Sequence, residues 1–144
     1  MAGVSAEPGE HNVAQAVRSW LLELQECVRA VDFERARKLF DPEVVSFGTV
    51  AGIARGLPAL EEHQWRRVWP YIRDFTFDLE SLVWDAEGDT AWAVAVWTSS
   101  GFDVGGQPYH RPGRATVVLR RQRGAWRAVH THFSLIPPAT ASRS

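Results

Sequence analysis

The stretch Thr90-Ala-Trp-Ala-Val-Ala-Val-Trp-Thr-Ser-Ser100 alternates two kinds of residue with a period of two. Odd positions carry Ala91, Ala93, Ala95, Trp97 and Ser99, and even positions carry Trp92, Val94, Val96 and Thr98. Successive side chains of a strand point to opposite sides, so each set lines one face of a sheet. The same alternation runs upstream over Phe75–Trp84 and downstream over Arg114–Arg121 and Trp126–Leu135. Glu87-Gly88-Asp89 and Gln122-Arg123-Gly124-Ala125 supply hairpin turns, because glycine adopts the positive φ that tight turns need. The second half is therefore an antiparallel meander, with Gly101–Gly113 as a longer and more mobile connection that carries Asp103, Tyr109, His110 and Arg111.

Carried across the meander, one face holds the odd residues of 91–99 with Ala115, Val117, Leu119, Val129, Thr131, Phe133 and Leu135. It is apolar and rich in small residues, as a concave face under helices around a cavity should be. The other face mixes Trp92, Val94, Val96, Val118 and Trp126 with Arg114, Thr116, Arg120, Ala128, His130 and His132. A sheet with one solvated face alternates cleanly between apolar and polar, so the apolar members predict a cover. A second copy of the chain is the simplest cover, and a homodimer through this face is expected.

Upstream the period changes to 3.6. Val13, Val17, Trp20, Leu21, Leu24, Val28 and Val31 recur at three- and four-residue steps, which predicts an amphipathic helix from His11 to Val31. Asp32 caps a second short helix that Asp41-Pro42 stops. Val44, Val45 and Phe47 form a brief strand, Gly48–Gly56 reads as a loop, and Pro58 opens a third helix ended by Pro70. Helices followed by consecutive strands make an α+β fold. One domain over residues 11–136 is expected, between a flexible N-terminus at 1–10 and a loose tail at 137–144.

Composition bounds the function. The 144 residues carry 45% hydrophobic and 23% charged side chains, an ordinary globular balance. A formal charge of −1 provides no basic excess for nucleic acid, and no apolar run is long enough to span a membrane. Cys27 is the sole cysteine, so neither a disulfide nor a cysteine metal framework forms within the chain, and a cytoplasmic location fits. No cofactor is implied.

The order of elements and the closing segment Trp126-Arg-Ala-Val-His-Thr-His-Phe-Ser134 resemble the nuclear transport factor 2-like superfamily in its SnoaL-like branch, over residues 12–136. The closing segment is also similar to the association domain of calcium/calmodulin-dependent protein kinase II. The resemblance implies a cone-shaped fold, with helices packed on a curved, mainly antiparallel sheet that encloses a pocket. It does not imply one activity, because the fold hosts isomerases, dehydratases, cyclases, hydrolases and non-catalytic assembly modules.

Ketosteroid-isomerase chemistry needs a Tyr donor and two Asp residues, but the matching places read Leu24, Phe47 and Ala115 or Thr116. That mechanism is lost. The association domain lines its pocket with arginines, and here the matching places read Trp97, Val117 and Phe133, which favours an apolar or aromatic guest. His130 and His132 form an H-x-H pair, but no acidic or cysteine partner shares their face, so hydrogen bonding at an interface is expected rather than a metal.

Two readings follow. In the first, a cavity of Trp20, Leu24, Phe47, Trp97, Val117, Thr131 and Phe133, with Tyr109 from the loop, binds a small apolar molecule without chemistry. In the second, the chain is an isomerase, cyclase or hydrolase. His63, on a third-helix face shared with Leu60, Gln64 and Val68, then acts as acid or base, aided by Asp41 or by Tyr109 and His110 of the loop. Glu61 and Glu62 belong to the solvated face of that helix.

Overall fold

A computed structural model describes residues 8–138. Helix α1 (Pro8–Ala30) buries Val17, Trp20, Leu21, Leu24, Cys27 and Val28 along one stripe, as its 3.6-residue period requires. Its end is a Schellman turn: Asp32 N–H donates to Cys27 O (2.9 Å) and Val31 N–H to Val28 O (3.2 Å), with Val31 at φ 52°. The carboxylate of Asp32 then accepts from Arg35 N–H at 3.0 Å and caps α2 (Phe33–Arg37). The helix starts three residues before His11, so Pro8–Glu10 are helical, and the remainder of the expected flexible N-terminus lies outside the described residues, as does most of the C-terminal tail.

Strand β1 (Phe40–Phe47) already contains Asp41-Pro42, which sequence alone reads as a helix stop. Pro42 is tolerated because the β1–β6 ladder breaks register between Phe40 and Val45, where no proline N–H is needed. The expected loop over 48–56 contains a short strand, β2 (Ile53–Arg55), antiparallel to β1. A helical segment over residues 57–71 follows. It comprises an α turn (Leu57–Leu60), a π turn (Glu61–Trp65), another α turn (Arg66–Val68) and a 3₁₀ turn (Trp69–Tyr71).

The meander is β3 (Arg73–Glu87), β4 (Thr90–Phe102), β5 (Pro108–Gln122) and β6 (Ala125–Leu135). The six strands form one sheet in the order β2-β1-β6-β5-β4-β3, antiparallel except where β1 runs parallel to β6. The connection expected over 101–113 shrinks to residues 103–107. The β4–β5 ladder continues to the pair Phe102 and Pro108, and the Asp103 carboxylate accepts from Gly105 and Gln107 N–H, each at 2.9 Å. Tyr109, His110 and Arg111 are therefore strand residues.

The faces separate largely as the alternation predicts. Ala91, Ala93, Ala95, Trp97, Ser99, Ala115, Val117 and Leu119 are all buried beneath the helices. Their small side chains leave space that Trp97 fills. Gly113 lies directly opposite it, where an added Cβ would stand 2.1 Å from the indole. One parity reading is corrected. The β5–β6 ladder shifts register between Val118 and Leu119, pairing Val118 with His130 and Leu119 with Ala128. Val129 is the extra residue of this bulge, so Ala128 (buried) and Trp126 (packed against the core) belong to the inner side, not to the outer face. None of the described helices is long and apolar enough to cross a membrane.

Candidate functional site

The helical segment over 57–71 closes the open end of the curved sheet, and its π turn determines what it presents. With i→i+5 bonding each turn holds more residues than an α turn, so a side chain three positions after Leu60 swings away from its face. Leu60, Gln64, Trp65, Val68 and Trp69 are buried, whereas His63 is exposed. Glu61 is also buried rather than solvated. Its carboxylate accepts from Arg37 (2.7 and 2.9 Å) and Arg66 (2.9 and 2.6 Å), and the Arg37 hydrogen bond foremost holds its pKa below the ordinary glutamate value.

Beneath this segment lies a narrow cavity of about 50 Å³. Leu24 and Val28 of α1 form one wall, and Trp65, Val68, Trp69 and Ile72 form another. Phe75, Trp97, Arg111, Thr131 and Phe133 make the sheet floor, with Phe40, Phe47, Gly48 and Thr49 on the β1 side. Aromatic rings dominate: Trp65 stacks on Trp69 with centroids 4.8 Å apart, and Phe75 lies 5.2 Å from Trp97. Phe47, 41% exposed, packs its ring 5.1 Å from His132. At roughly 10–15 Å³ per water such a volume holds about three to five waters, so a ring-sized guest needs side chains to turn aside.

The polar wall atoms are mostly satisfied by one another. Gln64 Oε1 accepts from Val50 N–H (3.0 Å) and Ala51 N–H (2.8 Å), while its amide nitrogen donates to Thr49 Oγ1 (2.8 Å). This amide lies over Gly48, where a Cβ would meet it at 2.2 Å. Thr131 and Ser46 share a hydroxyl hydrogen bond of 2.7 Å. Arg111 is 8% exposed, and its Nη1 donates to Ser99 Oγ at 2.8 Å. Burial pushes its pKa below the ordinary arginine value, with Tyr109 acting in the opposite direction.

Five of the expected ligand-contacting residues line this cavity, namely Leu24, Phe47, Trp97, Thr131 and Phe133. Three others do not. Trp20 stands behind the wall, donating its indole N–H to Leu39 O at 2.8 Å; Val117 is buried within the core; and Tyr109, 51% exposed, packs over Gly101. Neither expected acid–base residue reaches the cavity. His63 faces solvent, and Asp41 accepts from Glu43 N–H (2.7 Å) and Gln122 Nε2 (2.9 Å), bonds that hold its carboxyl below the ordinary value. His130 Nδ1 is hydrogen-bonded to Val45 O at 2.7 Å. Among the described residues no group of three His, Cys, Asp or Glu is placed to hold a metal ion. Burial pushes the Cys27 thiol up to about 11, which keeps it un-ionised at neutral pH.

Arg111 is the functional candidate that the sequence reading missed. It shares the inward parity of Gly113, Ala115 and Val117, a signal hidden by reading 101–113 as a loop. Trp65, Trp69 and Phe75 were likewise unassigned to the cavity.

A family profile described as a SnoaL-like domain matches residues 17–139. No curated protein sequence matches the chain significantly. Among solved structures, a nuclear transport factor 2-like superfamily protein from Salmonella enterica superposes with a TM-score of 0.77 at 20% identity, covering 94% of this chain and 99% of that one. A protein of the same fold and unknown function from Pseudomonas putida gives 0.73 at 24% identity, covering 99% and 95%. A Xanthomonas campestris protein named for the calcium/calmodulin-dependent protein kinase II association domain gives 0.70 at 18% identity, covering 94% and 95%. At these identities the likeness concerns the fold.

Proposed function

The chain belongs to the SnoaL-like domain family, and from that premise we propose that it binds a small, largely apolar molecule in its cone cavity and acts as a homodimer. The observation that carries the reading is the composition of the cavity wall. Aromatic and aliphatic side chains converge there with a few polar groups, the usual make-up of a small-molecule site. Among the described residues the lining contains no Asp, Glu, His or Cys, so neither His63 nor Asp41 is positioned to move a proton on a guest. Binding without acid–base chemistry by these two residues is the function the geometry supports best.

The dimer is supported by the outer face. Trp92 is 42% exposed and Val96 37%, and Val96 borders a hollow that Val94, Arg114, Thr116 and His132 also line. Exposed apolar side chains around a concavity suit a self-complementary contact between two copies. Assembly is also what the name of the Xanthomonas protein describes. A lone, buried cysteine suits a reducing compartment, and we place the protein in the cytoplasm.

Titration with toluene and benzyl alcohol, read by tryptophan fluorescence, tests the cavity. A saturable change that weakens in Trp97→Ala supports the reading, and no change with these compounds or with their carboxylate analogues overturns it. Native mass spectrometry tests the dimer, which a monomer at micromolar concentration would overturn.

A further inference from the structure

We infer that the cavity selects a small organic monoanion, a carboxylate on an apolar body, with Arg111 as its counter-charge. The inference rests on the cavity being a ligand site and adds the class of ligand. Arg111 is 8% exposed on the inner face, and its guanidinium carbon lies 5.7 Å from the centre of the Trp97 ring. Elsewhere Arg35, Arg37, Arg66 and Arg121 each pair with a carboxylate, but among the described residues no carboxylate pairs with Arg111. A guanidinium has five N–H donors; the neutral Ser99 hydroxyl takes one of them, and the neutral Tyr109 phenol is the other polar neighbour. Burying a cation without a counter-ion is costly, and burial does not deprotonate arginine at neutral pH.

A second, independent observation points the same way. The Trp97 indole is 2% exposed on the cavity floor, and its Nε1–H has no hydrogen-bond partner among the described residues. Gln64 with Thr49, and Thr131 with Ser46, satisfy one another. What the wall leaves is therefore one unsatisfied donor, on Trp97, and one cation without a counter-charge, Arg111, and the complementary guest brings acceptor oxygens. One positive charge matches one negative charge, which favours a carboxylate over a phosphate dianion. The surrounding Trp65, Trp69, Phe75 and Phe133 call for an apolar remainder.

The test titrates the full chain with benzoate, phenylacetate and hexanoate against benzyl alcohol, benzamide and hexanol, read by tryptophan fluorescence and calorimetry. At least one acid should bind about tenfold or more tightly than its neutral counterpart, as a buried charge-assisted pair provides. In Arg111→Met that preference should vanish while the neutral compound changes by less than about threefold, and Arg111→Lys should keep part of it. Arg111→Met should also melt no lower than the wild type, because the change removes a buried unpaired cation. Acids that bind no better than neutral compounds, or a preference that survives Arg111→Met, would overturn the inference and leave the cavity reading intact. Phenyl phosphate binding more tightly than every acid would overturn the monoanion assignment. No binding by acids or neutral compounds would overturn the cavity reading itself. Should Arg111→Met not fold, Arg111→Gln replaces it, and the acid-to-neutral ratio of the wild type still decides.

Discussion

Glu61 accepts two hydrogen bonds from Arg37, at 2.7 and 2.9 Å, and so ties the segment that roofs the cavity to helix α2. With Arg66 on the same carboxylate, the buried end of the pair is the glutamate, while both arginine side chains are nearly half exposed. The roof thus depends on the ionised form of one acid.

Stability should accordingly fall in acid. The Glu61 pKa is lower folded than unfolded, so its contribution is fully present above the unfolded value of 4.5 and is lost as pH falls through the lower folded value. Glu61→Gln should cost about 1–2 kcal/mol at neutral pH, allowing for the exposed partners. Urea unfolding of both proteins from neutral to acid pH checks this: the gap between them should narrow below pH 4.5 and stay constant above it.

Gly113→Ala should destabilise by about 1–3 kcal/mol, the usual cost of overpacking a core. The new Cβ would fall 2.1 Å from the Trp97 ring, so the indole must shift. A lower urea midpoint with an altered tryptophan emission is the expected result, whereas an unchanged midpoint would mean that the ring moves freely.

Gln64→Ala removes the acceptor of Val50 and Ala51 N–H and should cost about 1–2 kcal/mol. Hydrogen exchange should accelerate at those two amides before it does so in the meander. Uniform acceleration would assign Gln64 a role in global stability alone.

Val96→Lys places a second cation on the outer face beside Arg114, its cross-strand neighbour, where Val96 is 37% exposed. In a dimer that charge is buried without a partner, so a folded monomer with unchanged circular dichroism is expected. A variant that stays dimeric would move the interface away from this face.

His63→Ala should leave ligand affinity within about twofold, since loss of an exposed side chain away from the guest changes little. Trp97→Ala should weaken binding by about tenfold or more, because it removes a wall. A pH-dependent activity abolished by His63→Ala would restore the acid–base reading.

The legible parts of this chain are those set by local periodicity. Val17, Trp20, Leu21 and Leu24 announce α1, Asp32 announces the start of α2, and Gly88 and Gly124, both at positive φ, mark the hairpins. The alternation over 90–100 places Ala91, Ala93, Ala95, Trp97 and Ser99 on the buried face. Leu24, Trp97, Thr131 and Phe133 of the cavity follow from the alternation of the meander and the helix pattern, because a side chain's face depends on its neighbours in sequence.

What tertiary structure alone decided depends on register between distant segments. The pairing of Ser99 with Arg111 turned an expected loop into strand and brought a cation into an apolar cavity. Pairing of Leu119 with Ala128 moved Trp126 off the outer face, since one extra residue reverses every side chain before it. The parallel contact of β1 with β6 joins Ser46 to Thr131 across 85 residues, and no local pattern encodes it. The π turn rotated His63 outward for a similar reason. Its extra residue is stabilised by the burial of Gln64 and Trp65 against the sheet, an energy that exists only once helix and sheet have met.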